Sequence, residues 1–341
     1  MIAARFRCAR PAAAMAACAV VALLAGCGQE ATADRSASAT TAPTVASDLD
    51  GDASEATTTS ADGPADTAST TDGPADTIDP TTSSTAVTPE TTAGRQQSGG
   101  SSTIVGCTAG PIPDVAGLDP FYVQGCRIQN FWVVAGEPVD PAAVEAAADL
   151  VSAFFEADPL LGRVLADSGV RLGVIGAEQR TTDMPEYRDL YEAFPDVDWD
   201  NESRGLGATA DRPLVSAGEE NVLCLAGDAY RGEDILLHEF AHVLHLQGFA
   251  VIDPGFQPAL DIAYRQAMDA GTWDNTYAAT NAEEYWAEGV QSYFGRNRTS
   301  DPPDGVHGPV STRSALRTAD PDLYRLIDNR LERVVLPQRC P

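Results

Sequence analysis

Apolar side chains fall into three regimes along this chain. Residues 12–24 form a nearly unbroken apolar run behind Arg5, Arg7 and Arg10, and residues 28–103 hold almost no large apolar side chain. From residue 104 onward apolar and polar positions recur with the periods of secondary structure. Phe131 to Ala135 reads as a strand, Pro141 opens a helix through about residue 155, and residues 170–175 read as a second strand. Short strands are predicted over residues 213–217 and 221–225, followed by an apolar helix from Ile235 to Leu246 with Gly248 as its stop. Helical spacing then continues over residues 257–270, ended by Gly271, and over residues 322–334. Between these two lie Tyr285, Trp286, Val290, Tyr293 and Phe294, spaced as on one more helix. Thr280-x-x-Glu283 reads as the capping box that opens it, with Asn281 as the alternative cap. Strands that precede a run of helices predict an α+β domain with a small mixed sheet and a mainly helical C-terminal half.

The helix predicted at Ile235 to Leu246 carries three of the chain's four histidines and one formal charge, Glu239. A carboxylate in so apolar a segment costs several kcal/mol unless a cation, a proton or hydrogen bonds compensate it. His238 and His242 stand four residues apart, one above the other on a helix, so both rings can reach one ion with Glu239 beside it. His-Glu-x-x-His is the spacing of a zinc site. A metzincin would place a third histidine at position 248, which is Gly248. His245 is about 10 Å further along the axis, too far to share the same tetrahedron, and reads as a packing residue or a support for a ligand.

The helix downstream offers the missing ligand. Glu284 and Glu288 sit one turn apart among aromatic residues, where three carboxylates on a purely wet face are out of place. With Glu284 on zinc, Glu288 can accept the free ring N–H of a ligating histidine and fix its tautomer. The plain reading of Glu283, Glu284 and Glu288 is a favourable charge at a helix N-terminus.

Leu237-His238-Glu239-Phe240-Ala241-His242 together with the stretch from Tyr277 to Phe294 resembles the gluzincin catalytic domain of the anthrax-toxin-lethal-factor-like metallopeptidase superfamily. Tyr277 precedes Glu284 by seven residues, as in that pattern, and Arg313-Ser314-Ala315-Leu316 with Asp320-Pro321-Asp322-Leu323-Tyr324 matches secreted, uncharacterised members. The likeness covers roughly residues 204–327. It implies a zincin-like fold, Zn2+ held by His238, His242 and Glu284, Glu239 as the base toward the attacking water, and Tyr277 as a donor to the developing oxyanion. A tyrosine near a helix start is equally a packing residue with a hydrogen-bonded tip. By analogy with zincin-like folds, residues 212–217 are expected as an edge strand that holds an extended substrate near the cleft.

The basic residues ahead of the first apolar run, and its length of about 13 residues, read as a secretory signal rather than a membrane span. Leu24-Ala25-Gly26-Cys27 resembles a lipoprotein signal, which implies lipid attachment at Cys27 and an extracytoplasmic, membrane-anchored location. Ordinary cleavage and release is the alternative. Residues 28–103, rich in Thr, Ser, Ala, Asp and Pro, cannot bury enough surface to offset chain entropy and read as a tether of roughly 50 Å average reach. Asp62-Gly63-Pro64-Ala65-Asp66-Thr67 recurs ten residues later within it, too short and polar for a solenoid. Residues 104–341 remain as the catalytic domain. Its four cysteines suggest two disulfides with three possible connectivities, of which Cys107 with Cys126 and Cys224 with Cys340 is favoured; no Cys-x-x-Cys pair supports the rival cysteine zinc site.

All 22 basic residues are arginine, against 50 acidic ones, for a net charge of −28. That balance excludes a nucleic-acid-binding role. The expected partners are a peptide or protein substrate and the membrane, with the protein itself a monomer. The leading expectation is a membrane-tethered zinc peptidase; a zinc-bearing binding or structural lipoprotein without turnover is the alternative.

Overall fold

Alternation in the strand Phe131–Ala135 sends Phe131, Val133 and Ala135 into one apolar cluster and Val134 into another, on the opposite face of a sheet. In the computed structural model, which describes residues 107–339, six strands share that sheet. They are β1 (Gly110–Pro111), β2 (Gln124–Ile128), β3 (Phe131–Ala135), β4 (Arg171–Ile175), β5 (Gly205–Leu206) and β6 (Leu214–Gly218), in spatial order β1-β2-β3-β4-β6-β5. β2 and β3 form an antiparallel hairpin, β3, β4 and β6 run parallel, and β5 returns antiparallel at the edge. The signal segment, Cys27 and the whole tether predicted from the sequence lie outside the described residues.

Helices cover one face of the sheet. Asp140 caps α1 (Pro141–Ala157), with its carboxylate accepting the Ala142 N–H at 2.9 Å, and Asp158 caps α2 (Pro159–Asp167) in the same way. Val133, Leu172, Val174 and Val215 meet Val144, Val151 and Phe154 of α1 in the larger cluster, joined by Leu237, Phe240 and Val243 of α3 (Ile235–Val243). The smaller cluster, with Tyr187, Leu190, Trp199 and Leu214, fills the opposite face. After β6 every named element is helical, including α4 (Phe256–Asp269), α5 (Ala282–Tyr293), α6 (Arg313–Ala319) and α7 (Pro321–Leu331). The α+β class with a mixed sheet and a helical C-terminal half is therefore observed.

Three local expectations are corrected. Residues 213–217 do form a strand, but β6 is interior, because β5 pairs outside it through Gly205↔Ala217 and Leu206↔Ser216. Residues 221–225 are not a strand. Glu219–Val222 is a helical turn, and the Glu219 carboxylate accepts the N–H groups of Asp140 and Ala177 at 2.7 and 2.9 Å, stitching loops after β3 and β4 to β6. Nor does Gly248 end the histidine-bearing helix. α3 widens to π geometry over Leu244–Phe249 and continues through Ala250–Ile252. Gly248 lies inside this stretch because a Cβ there would come within 2.6 Å of Leu161 Cδ1 on α2.

Cys107 and Cys126 are joined, tying the segment ahead of β1 to β2. Cys224 is also disulfide-bonded; its partner lies outside the described residues, as does Cys340.

Candidate metal centre

Asp234 opens α3, its carboxylate accepting the Leu237 N–H at 3.0 Å, and every residue from Ile235 to Val243 is buried. One helical turn separates His238 and His242, whose ring centroids lie 5.1 Å apart. α5 crosses in front of them. Its cap is Asn281, which accepts the N–H groups of Glu283 and Glu284 at 2.9 and 2.8 Å, so the Thr280-x-x-Glu283 box expected from the sequence does not form. Asn281 holds extended backbone, φ −163° and ψ 177°, whereas Thr280 is in the helical region, where its hydroxyl is not aimed at the next turn.

This cap directs Glu284 at the two imidazoles. Its Oε2 lies 3.0 Å from His238 Nε2 and 3.4 Å from His242 Nε2, and one donor atom of each of the three residues lies within 4.8 Å of the others. Donors on a tetrahedron with bonds of about 2.0–2.1 Å stand roughly 3.3 Å apart, which the two distances to Glu284 match. Glu284 is fully buried, and its Oε1 has no hydrogen-bond partner among the described residues. Three buried carboxylates, Glu239, Glu284 and Glu288, meet two imidazoles in this dry volume. Buried carboxylates need compensation, by protons on the imidazoles or by a metal cation, and two nitrogens with one carboxylate oxygen are donors that hold a transition-metal ion. His238, His242 and Glu284 therefore fit a metal ion.

The protonation equilibria of the metal-free protein express the same imbalance. Burial opposes a charge on His238, but the Glu284 hydrogen bond and the charges of Glu284, Glu239 and Glu288 outweigh it and hold its pKa up at about 10. His242 is raised in the same way, burial being overcome mainly by Glu284. Burial likewise opposes ionisation of Glu284, yet the two imidazoles win and keep its carboxyl below the ordinary range. Glu288 goes the other way, its pKa raised by burial.

The other predicted site residues fall around this triad. Glu239 is buried on α3 beneath the edge of the sheet: a Cβ on Gly205 would lie 3.0 Å from Glu239 Cγ, and one on Gly207 would lie 3.6 Å from Glu239 Oε2 and 3.4 Å from His242 Cβ. Tyr277 sits in a 3-10 turn just ahead of α5, its backbone N–H bonded to Val306 O at 2.8 Å and its ring centroid 6.2 Å from that of His238. Glu288 Oε1 stands 3.6 Å from His238 Nδ1 while its Oε2 accepts from Asn297 Nδ2 at 2.7 Å. The nearer partner of His238 Nδ1 is Gln291 Oε1 at 3.0 Å, so Glu288 is not the principal acceptor that the sequence suggested. His245 turns away to Gln257 and packs on Phe256, with ring centroids 5.5 Å apart, as a core residue.

Sequence reasoning missed Gln291, the Gly205-x-Gly207 segment, and a buried pair in which His307 Nε2 lies 3.0 Å from Glu233 Oε2. Gln291 carried a signal, since positions 284, 288 and 291 share one helical face. Gly205-x-Gly207 carried none, being too short to show a period. Comparison with models of protein families, with curated proteins and with solved structures finds no match to this chain.

Proposed function

We propose that this protein is a zinc-dependent peptidase of gluzincin type, built on a zincin-like domain and tethered outside the cytoplasm through a lipid on Cys27. The observation that carries the reading is the convergence of His238, His242 and Glu284 donors within 4.8 Å of one another, with Glu239 on the same helix. Two imidazoles and one carboxylate suit zinc and leave a fourth position open. A zinc ion held there supplies Lewis acidity toward a water and an amide carbonyl.

The chain's own residues supply the remaining chemistry. Glu239 accepts a proton from the attacking water and delivers it to the departing amine nitrogen, a carboxylate being an effective proton carrier in a buried site. Tyr277 donates its phenolic proton in a hydrogen bond to the carbonyl oxygen as negative charge builds on it. The edge formed by β5 and Gly207 lies directly over Glu239 and His242, where an extended peptide can add by backbone pairing. Side-chain-free glycines let that backbone approach the reacting groups closely.

The test is exposure of a diverse peptide library to the full chain and to its Glu239→Gln variant, with metal content measured in both. The proposal expects about one equivalent of zinc in each and cleavage only by the wild type. Zinc in both with no cleavage by either leaves a metal-bearing binding protein, and a wild type that holds no metal removes the catalytic reading altogether.

A further inference from the structure

Beside the metal triad, one neutral side chain is placed where its orientation leaves no freedom. Gln291 is fully buried on α5, two turns beyond Glu284. Its Nε2 donates to the main-chain carbonyl of Asp234 at 2.9 Å, which fixes the amide so that Oε1 faces His238 Nδ1 at 3.0 Å. A carbonyl oxygen can only accept, so Nδ1 must carry a proton and Nε2 is the nitrogen left to face Glu284. His242 has no comparable lock: its Nδ1 is buried without a hydrogen-bond partner among the described residues.

Asp234 is more than a passive anchor. Its Oδ1 caps α3 at Leu237 and its Oδ2 takes Arg296 Nη1 at 2.7 Å, while its own N–H bonds Arg296 O at 3.0 Å. Arg296 Nη2 in turn donates to Pro337 O in the C-terminal tail. The start of the histidine helix, the far turns of α5 and the tail are thus joined at one residue, and Gln291 carries that frame to the ligand ring.

We propose that Gln291, and not Glu288, is the positioning residue of the metal centre, setting which nitrogen of His238 meets the ion. The inference rests on the metal reading of His238, His242 and Glu284. It differs from the sequence expectation, in which the carboxylate one turn after Glu284 does this work. At 3.6 Å, with its other oxygen committed to Asn297, Glu288 is beyond hydrogen-bond distance of Nδ1 and does not fix the ring.

Zinc affinity of the full chain, measured by competition with a chromophoric chelator, tests this directly. Gln291→Leu is expected to weaken zinc binding about 10- to 100-fold, the usual consequence of losing a partner that orients a ligand. Gln291→Glu keeps an acceptor against Nδ1 but loses the donor to the Asp234 carbonyl, so it is expected to recover only part of that loss, and Glu288→Gln to change affinity by less than about threefold. The absorption spectrum of the cobalt-substituted protein supplies a readout that general loosening does not mimic: Gln291→Leu should alter its bands and Glu288→Gln should leave them in place. If Gln291→Leu does not fold, the comparison of Gln291→Glu with Glu288→Gln decides. A larger loss from Glu288→Gln overturns the proposal, as does unchanged affinity and spectrum in Gln291→Leu. A wild type that binds no zinc instead overturns the metal reading on which it rests.

Discussion

The indole of Trp286 donates to the backbone carbonyl of Ala241 at 2.9 Å, so a side chain of one site helix is bonded to the main chain of the other immediately before His242. The bond lies within an aromatic cluster in which Phe256 and Phe249 pack on the indole at centroid distances of 5.1 and 5.9 Å. It sets the separation of the two helices that bring His238, His242 and Glu284 together. Trp286→Phe keeps most of the apolar surface, removes the donor and leaves a small void. A loss of about 2 kcal/mol in unfolding free energy is expected from those two effects together. Zinc affinity should fall with it, because Glu284 is two residues from the altered contact. Denaturant unfolding and chelator competition on the same variant check both.

On the proposed function, Gly205 distinguishes metal binding from the chemistry beside it. A methyl there would stand 2.6 Å from Ile235 Cγ2 and 3.0 Å from both Glu239 Cγ and the main-chain oxygen of Ser216. Backbone on one side cannot yield, so Gly205→Ala must shift either β5 or the Glu239 side chain. On the proposed function, hydrolysis should drop at least about tenfold, since displacements under an ångström at a reacting group have effects of this size. Zinc affinity should change by less than about threefold, because Glu239 is not a ligand. Equal losses in both would show that Gly205 supports the whole helix rather than the base.

The convergence of His238, His242 and Glu284 was legible in the sequence because its signals are local. Two histidines four residues apart need only a helix to share a face, and Glu284 and Glu288 stand out against Tyr285, Trp286 and Tyr293 on another. What stayed hidden depends on contacts between distant segments. Gln291 meets His238 across 53 positions and Glu219 meets Asp140 across 79, and neither residue type announces such a partner. β5 is two residues long, so its edge position had no pattern to betray it, and β6 was read as the edge in its place. Thr280 and Asn281 are both good caps on chemistry alone, and only backbone conformation chooses between them.

Gly248 shows how a correct local rule gives the wrong boundary. Glycine at the end of an apolar run usually marks a helix stop, but here the absent side chain admits Leu161 of α2 against the π-helical turn. In an ordinary helix Gly→Ala stabilises by about 1 kcal/mol. Gly248→Ala would instead place a methyl 2.6 Å from Leu161 Cδ1 and about 3.6 Å from Leu165 Cδ2. Overpacking costs of about 1–3 kcal/mol exceed the propensity gain, so the variant should be less stable than wild type by roughly 1 kcal/mol. Recovery of that loss in Gly248→Ala combined with Leu161→Ala, relative to Leu161→Ala alone, would locate the clash.

His245 gives the protein an acid-sensitive point apart from the metal ligands. It is completely buried, with Gln257 on Nε2 and its Nδ1 unpartnered among the described residues. Burial pulls its pKa down to about 4; the Gln257 hydrogen bond and the Asp261 charge oppose this, and the nearby His242 reinforces it. An unfolded chain protonates a histidine near pH 6.5, so between pH 6.5 and 4 the unfolded state binds more protons at this site. Its contribution to stability is therefore present above pH 6.5 and lost as pH falls toward 4. Between pH 7.5 and 5 the loss is about 2 kcal/mol by that linkage. His307 has the opposite sign: burial works against its charge, but Glu233 outweighs burial and raises its pKa, so its contribution is lost as pH rises through the raised value. Only the difference between wild type and variant isolates His245. In His245→Gln the fall in unfolding free energy between pH 7.5 and 5 should be smaller than in wild type by that amount, and equal slopes in the two proteins would show that the ring is already charged, or free to move to solvent, in the folded state.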